Sequence, residues 1–222
     1  MSQPMKIDFV SDVSCPWCII GLKALEQALD NIGDEIECSI HFQPFELNPQ
    51  MGAEGQDLYE HIAQKYGSTR AQSDQAREMI RARGAELGFE FRLDRMARIY
   101  NTFDTHRVLH FAATAGRQHE LKHALFAAYF TAGDNPGDHA VLLRESTRVG
   151  LDPARVREVL ESDEFSDEVR RAEQHYQSLG IHAVPAVIIN DRHLIEGGQP
   201  VEVFERALRH VASQPASDTA SG

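Results

Sequence analysis

Apolar positions recur along the chain at two spacings, and the changes between them divide it. Ile7 and Phe9 flank Asp8, which predicts a strand over about residues 5–12. Leu22, Leu25, Leu29 and Ile32 then recur every three or four residues, predicting a helix from Pro16 to Ile32 that Gly33 ends. Ile36, Cys38, Ile40 and Phe42 alternate with Glu37, Ser39, His41 and Gln43, the pattern of a half-buried strand. Pro44, Asn48, Pro49 and Gly52 mark a loop.

From about residue 54 to 179 the spacing is helical throughout. Leu58, Ile62 and Tyr66 define one helix, and Ala76, Met79, Ile80 and Leu87 the next. Asn101 and Thr102 cap a helix carrying Val108 and Leu109; Leu121, Leu125 and Tyr129 follow. Asp138 and Asp152-Pro153 read as helix starts, and Val169, Ala172, Tyr176 and Leu179 form the last turns of the block. The period then returns to two. Ile181 to Asn190 reads as a β segment containing Pro185, which requires an edge or special geometry because proline cannot donate to a ladder. Asn190-Asp191-Arg192 turns the chain into His193–Glu196, Gly197-Gly198 break it, and Val203, Phe204, Ala207, Leu208 and Val211 form a final helix. The order β-α-β, helical block, β-β-α predicts an α/β fold with one mixed sheet. Its parts are residues 1–53, an all-helical insertion over 54–179, residues 180–212, and a small polar tail over 213–222 expected to be disordered.

A net charge of −12 without a basic patch argues against nucleic-acid partners. No apolar run is long enough to span a membrane. Met1 to Pro4 lead into the first strand without a basic and apolar leader, so a cytoplasmic location is expected. In that compartment three cysteines speak against structural disulfides and for catalysis or metal binding.

Cys15-Pro16-Trp17-Cys18 sits at the first strand-to-helix junction. There Cys15 would face unpaired N–H groups and the positive end of the helix dipole, which favour the nucleophilic thiolate. Pro16 suits the first helical turn, and Cys18, one turn on, can close a disulfide back to Cys15. Zinc would need two further ligands. Cys38 and His41 do not supply them, because residues three apart on a strand point to opposite faces; Cys38 is expected to be a buried small hydrophobe. His119-Glu120-Leu121-Lys122-His123 matches a zinc-protease helix motif, but Lys122 would bring a cation into it and no third ligand follows. These residues are expected to be a solvated helix face, and no metal is expected. Asp8 has two readings, a buried carboxylate that accepts the proton of the second thiol or an ordinary exposed position; strand alternation alone does not choose the buried face. Trp17 either grips substrate or packs over the helix start, and His182 either faces the sulfurs or lies on the surface.

The element order, Cys15-Pro16-Trp17-Cys18 and Val184-Pro185 together resemble a thioredoxin fold of the DsbA family, across nearly the whole chain. Asp8-Phe9-Val10-Ser11-Asp12 and the stretch from Asn101-Thr102 to His106-Arg107 are similar to its cytoplasmic FrnE-like branch. The resemblance implies thiol–disulfide exchange with protein or peptide thiols and disulfides. Cys15 would attack and Cys18 would resolve the mixed disulfide. Pro185 would be cis, leaving the backbone of Val184 free to pair with substrate, and the insertion would form one wall of a groove. Pro16, Trp17, His182, Asn101 and His106 are the other residues expected on the substrate side. The resemblance implies that Asp8 would take the family's buried acidic role, one residue further from Cys15 than that pattern usually has. The redox pair is the only cofactor implied, with glutathione a candidate co-substrate. Asn101-Thr102 and His106-Arg107 equally resemble a segment of glutathione-dependent isomerases and transferases related to the hydroxychromene-carboxylate isomerases. Those enzymes typically carry serine at the position of Cys15 and lack the second cysteine. A non-catalytic, chaperone-like binding module is a third reading.

Overall fold

The computed structural model describes residues 4–214. Strand β1 (Met5–Ser11) runs into helix α1 (Pro16–Ile32), and β2 (Cys38–Pro44) returns parallel to β1, pairing Ile7 with Ile40 and Phe9 with Phe42. Strands β5 (Ala186–Ile189) and β6 (His193–Glu196) form an antiparallel hairpin, and β5 lies antiparallel to β1. The sheet order is therefore β2-β1-β5-β6, the mixed sheet expected, with β1 internal. The hairpin turn fits the right-handed twist because Asn190 and Asp191 adopt φ of 50° and 56°, which side chains that bond locally tolerate. It is tied to the start of β1 by Lys6 N donating to Asn190 Oδ1 at 3.0 Å and Asn190 N donating to Lys6 O at 2.9 Å.

Side-chain alternation assigns the two sheet faces. Ile7, Phe9, Val187 and Ile189 pack with Leu22 and Leu25 of α1 and with Phe204 and Leu208 of α9 (Val201–Ser213) in the main core. Val10, Ala186 and Ile188 face the other way, against Phe45, Ile181 and Tyr176. Between the sheet halves stand α2 (Leu58–Tyr66), α3 (Arg70–Glu86), α4 (Phe103–Thr114), α5 (Gln118–Ala127), α6 (His139–Arg148), α7 (Pro153–Glu161) and α8 (Ser166–Ser178). The expected aspartate caps form: Asp138 Oδ1 accepts from Ala140 N at 2.7 Å and Asp152 Oδ1 from Ala154 N at 2.9 Å.

Two departures from the periodicity stand out. The insertion is not all-helical: β3 (Gln56–Asp57) and β4 (Arg98–Ile99) form a short antiparallel ribbon. Gly55 permits it, since a Cβ there would lie 2.3 Å from Ile99 O. Residues 181–185 are not strand, and β5 begins only after Pro185, which has no N–H for the ladder. Helix α9 ends at Ser213, and the tail expected to be disordered falls, from residue 215 on, outside the described residues. Among the described residues no helix is long and apolar enough to cross a membrane.

Candidate active site

Strand β1 delivers Asp12-Val13-Ser14 as a turn into α1, with Cys15 N donating to Asp12 O at 3.2 Å. Cys15 is the N-cap residue, extended at φ −92° and ψ 113°, and Pro16 opens the helix. Cys18 N donates to Cys15 O at 3.1 Å, so both cysteines belong to the first turn. Both are free thiols. Cys15 Sγ donates to Val184 O at 3.6 Å, across a Val184–Pro185 peptide that is cis, as expected. Cys15 is 4% exposed and Cys18 0%, so even the outer sulfur is reached only through a groove. Burial pushes the Cys18 thiol well above its ordinary range, and the Cys15 sulfur beside it pushes the same way; the Asp12 backbone and the Lys122 ammonium pull against both.

Close approach of α1 and the loop before β5 makes this geometry possible. A Cβ on Gly21 would lie 3.1 Å from Pro185 Cγ and 3.3 Å from Gly198 Cα. The two glycines let the Val184–Pro185 loop settle onto α1 beside the sulfurs.

A cavity of about 720 Å³ opens onto Cys15. Pro16, Trp17, His182 and Val184 line it, and His182 is exposed. The far wall comes from the insertion: Leu58, Ile62 and Tyr66 of α2 and Ile80 of α3, with Lys65 and Arg77 adding positive charge. Lys65 Nζ fastens α2 to the segment after β2, donating to Leu47 O and Asn48 Oδ1 at 2.8 Å each.

Other expected residues lie elsewhere. Asp8 is buried, but on the face of β1 away from α1, because Ile7 and Phe9 take the face toward it. There it pairs with Lys6 Nζ at 2.8 Å and accepts from Gln43 Nε2 at 2.7 Å, and it is not brought to the sulfurs. Asn101 is not on the groove wall; its Oδ1 accepts from Phe103 N at 2.9 Å and shapes the start of α4. His106 is buried behind the groove rather than in it. Burial holds its imidazole down to about 4, so it is neutral near pH 7 and donates from Nε2 to Phe45 O at 3.1 Å. Arg107 fastens the insertion, donating to Glu164 O at 2.9 Å, to Asp104 Oδ1 at 2.7 Å and to the carbonyls of Val159 and Ser162. Cys38 is half-buried, and burial raises its thiol.

Two residues not singled out by their sequence position complete the site. Asp12 is wholly buried; its Oδ1 accepts from Ser14 N at 3.0 Å and its Oδ2 from Leu47 N at 2.7 Å, locking the cysteine turn to the groove wall. Lys122 of α5 is also wholly buried, and among the described residues its Nζ has no hydrogen-bond partner. His119 and Glu120 are exposed, as expected of a solvated helix face, but Lys122 is not on that face. Lys122 shares a helical stripe with Leu125, Phe126 and Tyr129, and that stripe was the available signal for its burial. Burial lowers its ammonium to about 8, against the pull of Cys18, Asp12 and Cys15.

A family model described as a DSBA-like thioredoxin domain matches residues 6–209. An uncharacterized protein, YwbO of Bacillus subtilis, is 30% identical over 203 residues, covering 91% of this chain and 94% of that one. A crystal structure of a probable DsbA oxidoreductase from Streptomyces coelicolor is 30% identical with a TM-score of 0.87, covering 95% of this chain and 91% of that one. A 2-hydroxychromene-2-carboxylate isomerase shares the fold at 14% identity and a TM-score of 0.69, over 93% of this chain and 96% of that one.

Proposed function

The chain belongs to the DSBA-like thioredoxin domain family, and from that membership we propose that it is a thiol–disulfide oxidoreductase acting on protein or peptide disulfides through Cys15 and Cys18. One observation carries the reading: two thiols share the first turn of α1, one opening onto an apolar groove and the other sealed beneath it. In the reducing direction the Cys15 thiolate attacks a substrate disulfide, forms a Cys15–substrate bond and expels a substrate thiolate, which takes up a proton. Cys18 then gives up its proton and attacks Cys15 Sγ. The second substrate sulfur leaves as a thiolate and takes up a proton, and Cys15–Cys18 closes as a disulfide, its two electrons having passed to the substrate, now a dithiol. The buried Lys122 ammonium favours the thiolate that Cys18 must become, against the burial that disfavours it. In a reducing cytoplasm the dithiol predominates, so reduction or isomerisation is the proposed direction there. The stretches Asp8–Asp12 and Asn101–Arg107 support a FrnE-like assignment within the family.

Cys18→Ala removes the resolving step and leaves the first intact. Expressed in cells and quenched with acid, it is expected to accumulate reductant-sensitive protein adducts through Cys15, while Cys15→Ala forms few. Trapping no greater than that of the double Cys→Ala variant removes the proposal. Adducts of glutathione alone would instead support a glutathione-dependent isomerase or transferase. That second reading draws on the shared isomerase fold, and the intact Cys18 counts against it.

A further inference from the structure

The mechanism makes no use of the histidines at 119 and 123, one helical turn apart on α5. Their missing third group comes from upstream, on α1. Glu26 lies about two turns beyond Cys18, and its Oε1 is 2.8 Å from His119 Nε2 and 2.5 Å from His123 Nε2. The two rings stand 4.9 Å apart at 61°, and all three ligand atoms lie within 4.8 Å of one another. Lys122, the cation that argued against the motif, points into the core instead of into this cluster.

We propose that Glu26, His119 and His123 form a binding site for a divalent cation of the zinc class, joining α1 to α5. As a purely hydrogen-bonded cluster, the arrangement aims two N–H donors at one carboxylate oxygen. With a cation, the two Nε2 lone pairs and Oε1 converge on a single point instead. An N₂O set with one open position is the donor chemistry of an accessible zinc site. Ligand atoms about 2.1 Å from a tetrahedral zinc are about 3.4 Å from one another, so each of the two distances from Glu26 Oε1 to a histidine Nε2 needs to open by less than about 1 Å to admit the ion.

The surroundings hold the ligands in place. Lys23 Nζ occupies the other carboxylate oxygen at 3.0 Å, which fixes the carboxylate and leaves Oε1 for the ion. Phe42 packs against the His119 ring at 5.7 Å. The open side faces a groove of about 560 Å³ whose walls include Asp30 and Glu86, both favouring a cation. The inference is of cation binding and not of peptide hydrolysis: Glu120, the motif's general-base position, is paired with Arg117 at 3.1 Å on the exposed surface.

The test is independent of the oxidoreductase reading, because it uses the full chain with Cys15, Cys18 and Cys38 replaced by Ser, stripped of metal by chelation. Calorimetric titration with Zn²⁺ is expected to show one equivalent bound. His119→Ala and His123→Ala should each weaken binding by about tenfold or more, and Glu26→Ala should weaken it likewise. Zn²⁺ should raise the melting temperature of the parent but not of the double histidine variant, whose fold is checked by circular dichroism in chelator. A Co²⁺ absorption spectrum should show nitrogen and oxygen ligation in the parent and lose it in the double variant. Zn²⁺ affinity unchanged in the double variant, affinity unchanged in Glu26→Ala, or neither heat nor thermal shift at millimolar Zn²⁺ would each overturn the site.

Discussion

Lys122 opposes the stability of the chain and serves its proposed chemistry. A buried ammonium without a hydrogen-bond partner is costly, and the lowering from 10.5 to about 8 corresponds to roughly 3 kcal/mol. Lys122→Met keeps much of the volume and removes the charge. It should be more stable than the parent in urea at pH 7, yet slower to resolve a Cys15 mixed disulfide, because Cys18 loses the cation that favours its thiolate. Below pH 8 the folded and unfolded parent both carry the Lys122 proton, so the penalty is complete. Between pH 8 and 10.5 the unfolded chain binds more protons than the folded one, and parent stability gains with pH from this group. The stability gap should therefore narrow across that window; a constant gap from pH 7 to 10.5 would assign Lys122 no buried charge. Asp12 supplies the second residue-scale prediction. Asp12→Ala strands the N–H groups of Ser14 and Leu47, and should lose about 1–3 kcal/mol in urea denaturation. Cys15 and Cys18 were legible in the sequence because their spacing at a strand-to-helix junction is itself the chemistry. Asp12 and Lys122 were not, because each acts through a partner brought from far along the chain: Leu47 for one, the sulfurs for the other. Asp8 misled because an acidic residue on β1 fits the family pattern, whereas the face it occupies is decided by Ile7 and Phe9.

At the scale of elements, the contact of α1 with the loop before β5 sets the distance between Cys15 and Val184. Gly21 and Gly198 are its thin points, and a larger residue at either has backbone or proline to displace. Gly21→Val should destabilise the chain by about 1–3 kcal/mol through overpacking. It should also push the Val184 carbonyl away from Cys15 Sγ and lower the exchange rate. Denaturation and turnover measured together test this, and an unchanged rate in a destabilised variant would show that the contact serves only packing. Helix α1, the parallel pair and the final hairpin were legible because each is long enough for a period, or punctuated by a turn such as Asn190-Asp191. The ribbon of β3 and β4 was not, since two residues per strand carry no period. Residues 181–185 look alternating, yet they are loop, because Pro185 cannot join a ladder and lies instead against Gly21 of α1.

For the whole molecule, the groove exists because the insertion returns α2 to the sheet's active edge, where Lys65 bonds the segment after β2. The insertion and the redox turn thus face each other across a largely apolar cleft that a small disulfide does not need to fill. An extended peptide would lie along Ile62 and Tyr66 on one side and Trp17 and Val184 on the other. Ile62→Asp puts a charge on the far wall without touching the first turn of α1. Losing the burial of that side chain is worth about 1.5–3 kcal/mol, so turnover of a protein disulfide at low substrate should fall by about tenfold or more. Turnover of oxidised glutathione, which needs only the sulfur end of the cleft, should stay near that of the parent. The comparison carries its own control. A variant with disturbed sulfurs would slow on both substrates, and a cleft that does not hold peptide would leave both unchanged. Only a selective rise in KM for the protein disulfide, with the melting temperature preserved, fits a groove built by the insertion to hold a polypeptide against Cys15.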